Sequence, residues 1–422
     1  MSNKPFILSR RNFLKIASSG LMGAGLQIQF PSLFANEENT PYKPSAEHFI
    51  YLFMNGGMSH IDTFDPKPGA DTQGEFKTIK GSNGHSICEN FPNLAKLLDE
   101  VAIINSMTSK EGSHERGQYL FHTNYAPLGT IVHPTLGSWI TKFTKPLNDT
   151  LPPLIHIGGS RFGAGYFGPK FEPFHLGNAS SGLPNIKIPN GTTEEQFKEK
   201  LNLLEQLDNN FQSKYTESNV QAYNEYYKDA NKLMFSEDLK VFDLKNESEE
   251  MRNLYGKSEF GNGCLLARRL VEKGVKYVEV TNGGWDTHEN NFEIMRNKST
   301  TIDQALSGLL IDLKNKNLLH KTMVILTTEF GRTPKINSKN GRDHFPNAFS
   351  CLMAGGGVKG GTIIGKTNER GDAVIEEPVS IFDLNTTIAV AAGLNPEKEF
   401  TSPVGRPFKI SNSGKVINRI FG

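Results

Sequence analysis

Apolar residues fall along this chain in short unbroken runs, separated by longer stretches with helical spacing. Phe49-Ile50-Tyr51-Leu52-Phe53-Met54 is the first such run, and it stops at Asn55-Gly56-Gly57. A run this short, apolar on both faces, predicts a fully buried strand ending in a glycine turn. Val101-Ala102-Ile103-Ile104 is a second run of the same kind. From Pro152 to Pro189 the chain is rich in Gly and Pro with scattered aromatics, which predicts an irregular covering segment. Thr192 to Asp238 is charged and spaced for amphipathic helices. Thr192 and Glu195 there have the spacing of a capping box, so a helical insert is expected over about 192–254.

After the insert, helix and strand alternate. A helix over Gly263 to Lys273 leads to a strand over Val275 to Thr281, which ends at Asn282-Gly283-Gly284. A helix from about Ser299 to Asn315 leads to a strand over Met323 to Thr328. A strand over Ala348 to Met353 then runs into Gly355-Gly356-Gly357, and a last helix covers Asp383 to Ala392. This alternation with buried strands predicts an α/β fold with a doubly wound parallel sheet. The strands ending at Gly56, Gly283 and Gly355 are expected to be central and parallel, with their carboxyl ends on a common edge. Residues 36–46 read as a polar, Pro-bearing linker, and 47–422 as the α/β domain.

Near the start, Ser9-Arg10-Arg11-Asn12-Phe13-Leu14-Lys15 precedes a weakly apolar run from Ile16 to Phe30. The pattern is that of a twin-arginine export signal, read by a translocation machinery that exports folded proteins. Residues 1–35 are therefore expected to form a signal peptide, with the mature protein in the periplasm or secreted. Cleavage near Ala35 has Leu33 at a position that favours small residues, so an uncleaved anchor stays open. Beyond the signal no apolar stretch is long enough to cross a membrane. Basic and acidic residues number 46 and 45, which gives no electrostatic case for nucleic acid or an anionic surface. Cys88, Cys264 and Cys351 make no metal-spaced pair and no disulfide framework. Cys264 and Cys351 read as small core residues, and Cys88 stays ambiguous.

Chemistry collects where the strands are expected to end, which is where open parallel sheets bind ligands. The first strand delivers Asn55, then Ser59, His60, Asp62 and Asp65. A later one delivers Trp285-Asp286-Thr287-His288. Another delivers Glu329 and Arg332, followed by Arg342-Asp343-His344. Histidines beside carboxylates at loop starts suit a divalent ion.

Five blocks carry a family resemblance. They are Gly56 to Pro68, His114 to Tyr125, Gly283-Gly284-Trp285-Asp286-Thr287-His288, Thr328-Glu329-Phe330-Gly331-Arg332-Thr333-Pro334 and Gly341-Arg342-Asp343-His344-Phe345-Pro346. The chain resembles the domain-of-unknown-function 1501 family, exported proteins placed in the alkaline phosphatase and sulfatase superfamily. The resemblance implies an alkaline phosphatase-like, mostly parallel sheet flanked by helices. In active superfamily members two metal ions are held. Asp286, His288 and His344 fall at the places of one ligand triad. The other ion's places read Asn55, His114, Glu329 and Phe330, of which Asn55 is a weak ligand and Phe330 none. The resemblance therefore implies one tight ion, suited to zinc, with Glu329, Asp62 and His114 as candidates to complete it or hold a weaker second ion.

His114 also falls at the nucleophile's place, with Ser113 beside it. The attacking group is left open between a bound water, His114 and, after a small register shift, Ser113 or Thr108. Arg332 and Arg342 are candidates to pair the oxygens of an anionic ester. Two functions stay open: a metal-dependent hydrolase of a phosphate or sulfate ester, and a non-catalytic binding or assembly protein with an eroded second metal site.

Overall fold

A computed structural model describes residues 42–183, 188, 190–212 and 228–422. The Arg10-Arg11 motif and most of the expected linker lie outside them. The first apolar run forms β1 (His48–Met54), buried along its whole length. Its side chains alternate between two cores. Ile50, Leu52 and Met54 enter one, while Phe49, Tyr51 and Phe53 enter the other. A strand buried on both faces needs a layer of helices on each. Helices α4 (Glu259–Glu272) and α5 (Asn291–Asn315) cover the first face through residues such as Leu265, Leu306 and Leu309. Helices α1 (His114–Thr123), α2 (Leu136–Phe143) and α6 (Ile381–Ala391) cover the second through Phe121, Trp139 and Ile388.

Among the described residues nine strands form this sheet. The others are β2 (Val101–Thr108), β3 (Leu154–Ile157), β4 (Phe174–Leu176), β5 (Tyr277–Asn282), β6 (Thr322–Thr327), β7 (Phe349–Ala354), β8 (Ile363–Ile364) and β9 (Val379–Ser380). They run β8-β2-β7-β6-β1-β5-β3-β4, and β9 also pairs with β2. β1 pairs in parallel with both β5 and β6. The sheet is thus a mostly parallel one flanked by helices, as expected.

The strand that ends at Gly355 departs from the expectation, because β7 is antiparallel to both β6 and β2. A parallel return requires a crossover, usually a helix, on one face of the sheet. Residues 328–348 hold no helix and stay at one edge, so the chain re-enters the sheet in the opposite direction. The covering segment over 152–189 also holds more regular structure than its composition implies, since β3 and β4 lie within it and extend the sheet.

The helical insert begins with α3 (Glu194–Gln212). Its capping box lies one residue later than expected. Thr193 Oγ1 accepts from the Gln196 amide, and the Gln196 side chain accepts from the Thr193 amide. Residues 213–227 lie outside the described residues. Helix α5 starts eight residues before Ser299, because Phe292 and Met295 continue its buried stripe. All three cysteines, Cys88 included, are buried and free. No helix among the described residues is long and apolar enough to cross a membrane.

Candidate metal centre

The register of β1 with its neighbours decides what meets at the sheet edge. Met54 pairs with Asn282 of β5, and Phe53 with Thr327 of β6. The turns that follow the three strands therefore leave side by side. Glycine lets two of them touch: Gly56 has a φ of +123°, and a Cβ there would lie 2.6 Å from the Asp286 backbone nitrogen. Residues 341–344 are laid against this edge by the Arg342 amide, which donates to the Thr287 carbonyl, and by pairing of His344 with Arg332.

One carboxylate oxygen, Asp286 Oδ1, is the focus. His288 Nε2 lies 3.2 Å from it, and the Nε2 atoms of His114 and His344 each lie 3.4 Å from it. The other nitrogen of each ring is engaged. His114 Nδ1 donates to Glu329 Oε1 at 2.7 Å, His288 Nδ1 to Asp343 Oδ1 at 2.8 Å and His344 Nδ1 to the Gly112 carbonyl at 2.7 Å. An oxygen acceptor at Nδ1 places the proton there, so a neutral ring presents a lone pair at Nε2. Three such lone pairs then face one carboxylate oxygen. Acceptors sit this close only with a proton or a cation between them. The Nε2 atoms of His114 and His344 are buried without a hydrogen-bond partner. Among the described residues His114, Asp286 and His344 bring their ligand atoms within 4.8 Å of one another. Imidazoles held from behind by oxygens, beside a carboxylate, fit a borderline divalent ion.

The same contacts set the charges of these groups. Burial raises the Asp286 carboxyl, but the hydrogen bond and charge of Arg332 outweigh it and hold it below the ordinary carboxylate range. Burial opposes a charge on His114, yet Glu329 and Asp286 together lift its pKa above the usual histidine value. His344 is lowered, chiefly by burial. The His288 hydrogen bond keeps Asp343 low.

Geometry reassigns several residues named from the sequence. Asp62 is not at the centre: it is fully buried in a two-pronged ion pair with Arg342, Oδ2 to Nε at 2.8 Å and Oδ1 to Nη2 at 3.2 Å, and also accepts from Asn291. Arg342 spends its remaining donors on the carbonyls of Thr72, Thr333 and Pro334. It therefore offers no fork to an ester. Arg332 does reach the cluster, donating to Asp286 Oδ1 at 2.5 Å, but it is fully buried and its other bonds go to the carbonyls of Gly56, Gly57 and Arg342. Its role here is to orient Asp286 rather than to clamp an ester.

Glu329 accepts from the Gly56 amide, the Thr328 hydroxyl and His114, so it positions His114 instead of facing the centre directly. Asn55 accepts from Gln118. Phe330 packs 4.9 Å from the rings of both His114 and His344, filling a place where the resemblance implies a ligand. Ser113 is the N-cap of α1 and its side chain makes no cap bond. Thr108 donates to the Val379 carbonyl at the sheet edge.

Glu329, which holds the His114 ring, was named from the sequence, but the groups that hold the other two rings were missed. Asp343 was visible only as part of a block, and Gly112 acts through its carbonyl, which leaves no trace in side-chain pattern. Sequence reasoning also missed a pocket of about 300 Å³ on the other side of Asn55 and Gln118, whose lining includes His122, Ser160, Arg161, Phe162, Glu279 and Thr281. Glu279 carried a signal: it is a lone charge within the apolar run Tyr277-Val278-Glu279-Val280.

A mostly parallel α/β sheet with a histidine-carboxylate centre at its edge defines the class of this protein. The chain belongs to the family described as protein of unknown function (DUF1501), whose model matches residues 46–421. No curated protein matches it. The chain is similar to the sulfatase PsFucS1 from Pseudoalteromonas sp., with 14% identity, 85% of this chain and 70% of that chain covered, and a TM-score of 0.40. It is similar to a protein in the alkaline phosphatase superfamily from Vibrio parahaemolyticus, with 12% identity, 90% and 72% covered, and a TM-score of 0.37. It is also similar to a phosphonate monoester hydrolase from Silicibacter pomeroyi, with 10% identity, 89% and 76% covered, and a TM-score of 0.38.

Proposed function

We propose that this protein is exported folded by the twin-arginine machinery and hydrolyses an anionic ester, phosphate or sulfate, outside the cytoplasm. In this reading His114, His288, His344 and Asp286 hold one divalent ion, zinc or a similar borderline metal. The observation that carries it is the convergence of three imidazole Nε2 atoms on one Asp286 oxygen, each ring held from behind. Such an ion, when bound, polarises an ester oxygen and lowers the pKa of a bound water.

The chain's own residues prepare the site for that chemistry. Arg332 keeps Asp286 ionised and pointed inward. Glu329, Asp343 and the Gly112 carbonyl fix the three rings. The first turn of α1 begins at His114, and Ser113 does not cap it, so its free N–H groups favour an anion beside the centre. His114 serves here as a ligand, which leaves water as the attacking group.

A second reading draws on Asn55 and Phe330, which supply no strong ligand where a second ion is implied. On that reading the protein binds or assembles without catalysis. The deciding experiment measures metal content of protein purified from its native compartment, together with hydrolysis of a panel of phosphate and sulfate monoesters. Stoichiometric metal, lost with all esterase activity in His288→Ala, supports the hydrolase. A metal-free protein whose stability and activity are unchanged by His288→Ala refutes it and leaves the binding reading.

A further inference from the structure

The pocket beyond Asn55 and Gln118 is walled by the ends of β1, β3 and β5 and by α1. That helix measures its offset from the metal centre. His114, Gln118 and His122 follow at four-residue steps along one side of α1. Gln118 thus stands about 6 Å, and His122 about 12 Å, along the axis from His114. Gln118 Nε2 joins the two places directly. It donates to Asn55 Oδ1 at 2.6 Å and lies 3.5 Å from Glu329 Oε1, the oxygen that holds His114. An ester whose anionic end reaches the centre therefore has its alcohol end beside this pocket.

The lining narrows the chemistry of that alcohol. A volume of about 300 Å³ is at the small end for ligand pockets, with room for one ring rather than a long chain. The charges of the lining cancel in pairs. Buried Glu279 accepts from His122 at 3.1 Å, and exposed Arg161 lies 3.8 Å from Glu115. Neither a second anion nor a cation would find an uncompensated partner there. What remains is hydrogen-bonding capacity, from the amides of Asn55 and Gln118 and the hydroxyls of Ser160 and Thr281. Thr281 Oγ1 donates to Glu279 Oε1 at 3.3 Å, which leaves its lone pairs to accept. Beside these groups stands Phe162, held by stacking on His122 at 4.6 Å and 26°. An acyl chain would leave the amides and hydroxyls unpaired, at a cost for each. A neutral ring with several hydroxyls exchanges hydrogen bonds with them and lays its C–H groups against the aromatic side chain.

We propose that this pocket seats the alcohol part of the ester and that this part is a sugar-type ring, with Thr281 and Phe162 as specificity-determining residues. The ester rests on the hydrolase reading above, while recognition of the ring rests on the pocket alone.

The test uses the full mature chain loaded with zinc. Rates are measured for sulfate and phosphate monoesters of glucose, galactose and mannose, and for methyl sulfate and methyl phosphate. Methanol and a sugar hydroxyl are similar leaving groups, so the ratio of kcat/KM between sugar and methyl esters reports the pocket. Wild type should favour at least one sugar ester by about 100-fold, the scale of a few hydrogen bonds, and the two arms show which anion it carries. Thr281→Phe, which fills the pocket, should cut that ratio about tenfold or more. Calorimetric titration with the free sugars reads the pocket without turnover, and Thr281→Phe should abolish the binding. Sugar binding with no hydrolysis of any ester keeps the pocket and refutes the hydrolase reading. Equal kcat/KM for sugar and methyl esters, or neither sugar preference nor sugar binding in wild type, overturns the proposal. Should Thr281→Phe fail to fold, Phe162→Ala takes its place; a folded pocket variant with wild-type preference and affinity also overturns it.

Discussion

Replacing Asp62 by Asn removes one charge and almost no volume from a pair that is wholly enclosed. Asp62 and Arg342 are both fully buried, joined at 2.8 and 3.2 Å, with Asn291 Nδ2 donating to the same carboxylate at 2.9 Å. Breaking a buried pair by removing one partner costs about 3–5 kcal/mol, because the other charge is left uncompensated. Arg342 keeps the carbonyls of Thr72 and Thr333, so the lower end of that range applies. In a chain of this size about 3 kcal/mol corresponds to a fall of about 3–4 °C in Tm. Metal content should not change, since Asp62 touches none of the residues around Asp286. Adding Arg342→Met should recover part of the loss, because it removes the charge that Asp62→Asn leaves uncompensated. Calorimetry and metal analysis of the single and double variants provide the check. Loss of the metal from Asp62→Asn with Tm unchanged would refute this reasoning and make Asp62 a ligand.

Glu329→Gln should weaken metal binding about 10–100-fold, as removal of a ligand's oxygen partner commonly does; a chelator-competition titration measures it. His133 is buried, accepts the Tyr119 hydroxyl at Nδ1 and is pushed down to about 4 by burial. Its folded pKa is depressed, so its contribution is fully present above the unfolded value of about 6.5 and is lost as pH falls through 4. That amounts to about 3 kcal/mol; His133→Phe should flatten the dependence of Tm on pH in this window, and an unchanged slope would count against it. Arg10→Lys with Arg11→Lys should leave precursor in the cytoplasm, and normal export of that double variant in a fractionation experiment would exclude the twin-arginine route.

The sheet was legible because its central strands are apolar on both faces. β1, β5 and β6 could be found from their composition alone, and so could the glycine turns that end β1 and β5. The edge strands were not. β3 and β4 are four and three residues long, too short for a pattern to stand out from the Gly- and Pro-rich chain around them. The capping box slipped by one residue because Thr192 and Thr193 each have an acidic or amide residue three positions on, and only backbone geometry chooses between them. At the site the ligand types were visible and their grouping was not. Asp62 and Asp286 are both acids following buried strands. What separates them is Arg342, which encloses the first, and the three rings, which surround the second.

One stretch of chain joins the fold's exception to its chemistry. Residues 328–348 leave β6 at the carboxyl edge and return through β7 without crossing a face of the sheet. A helix in that connection would make β7 parallel, but it would also carry the chain away from the edge. Because it stays, the same stretch supplies Glu329 to His114, Arg332 to Asp286, Asp343 to His288 and finally His344 itself. Arg342, between the last two, pins the stretch to Asp62 behind β1. The antiparallel strand and the centre are therefore one structural decision. The stretch has a second hold on the edge, since the Arg342 amide donates to the Thr287 carbonyl and His344 pairs with Arg332, which is why loosening the Asp62–Arg342 pin is expected to lower Tm and to leave His344 at the centre.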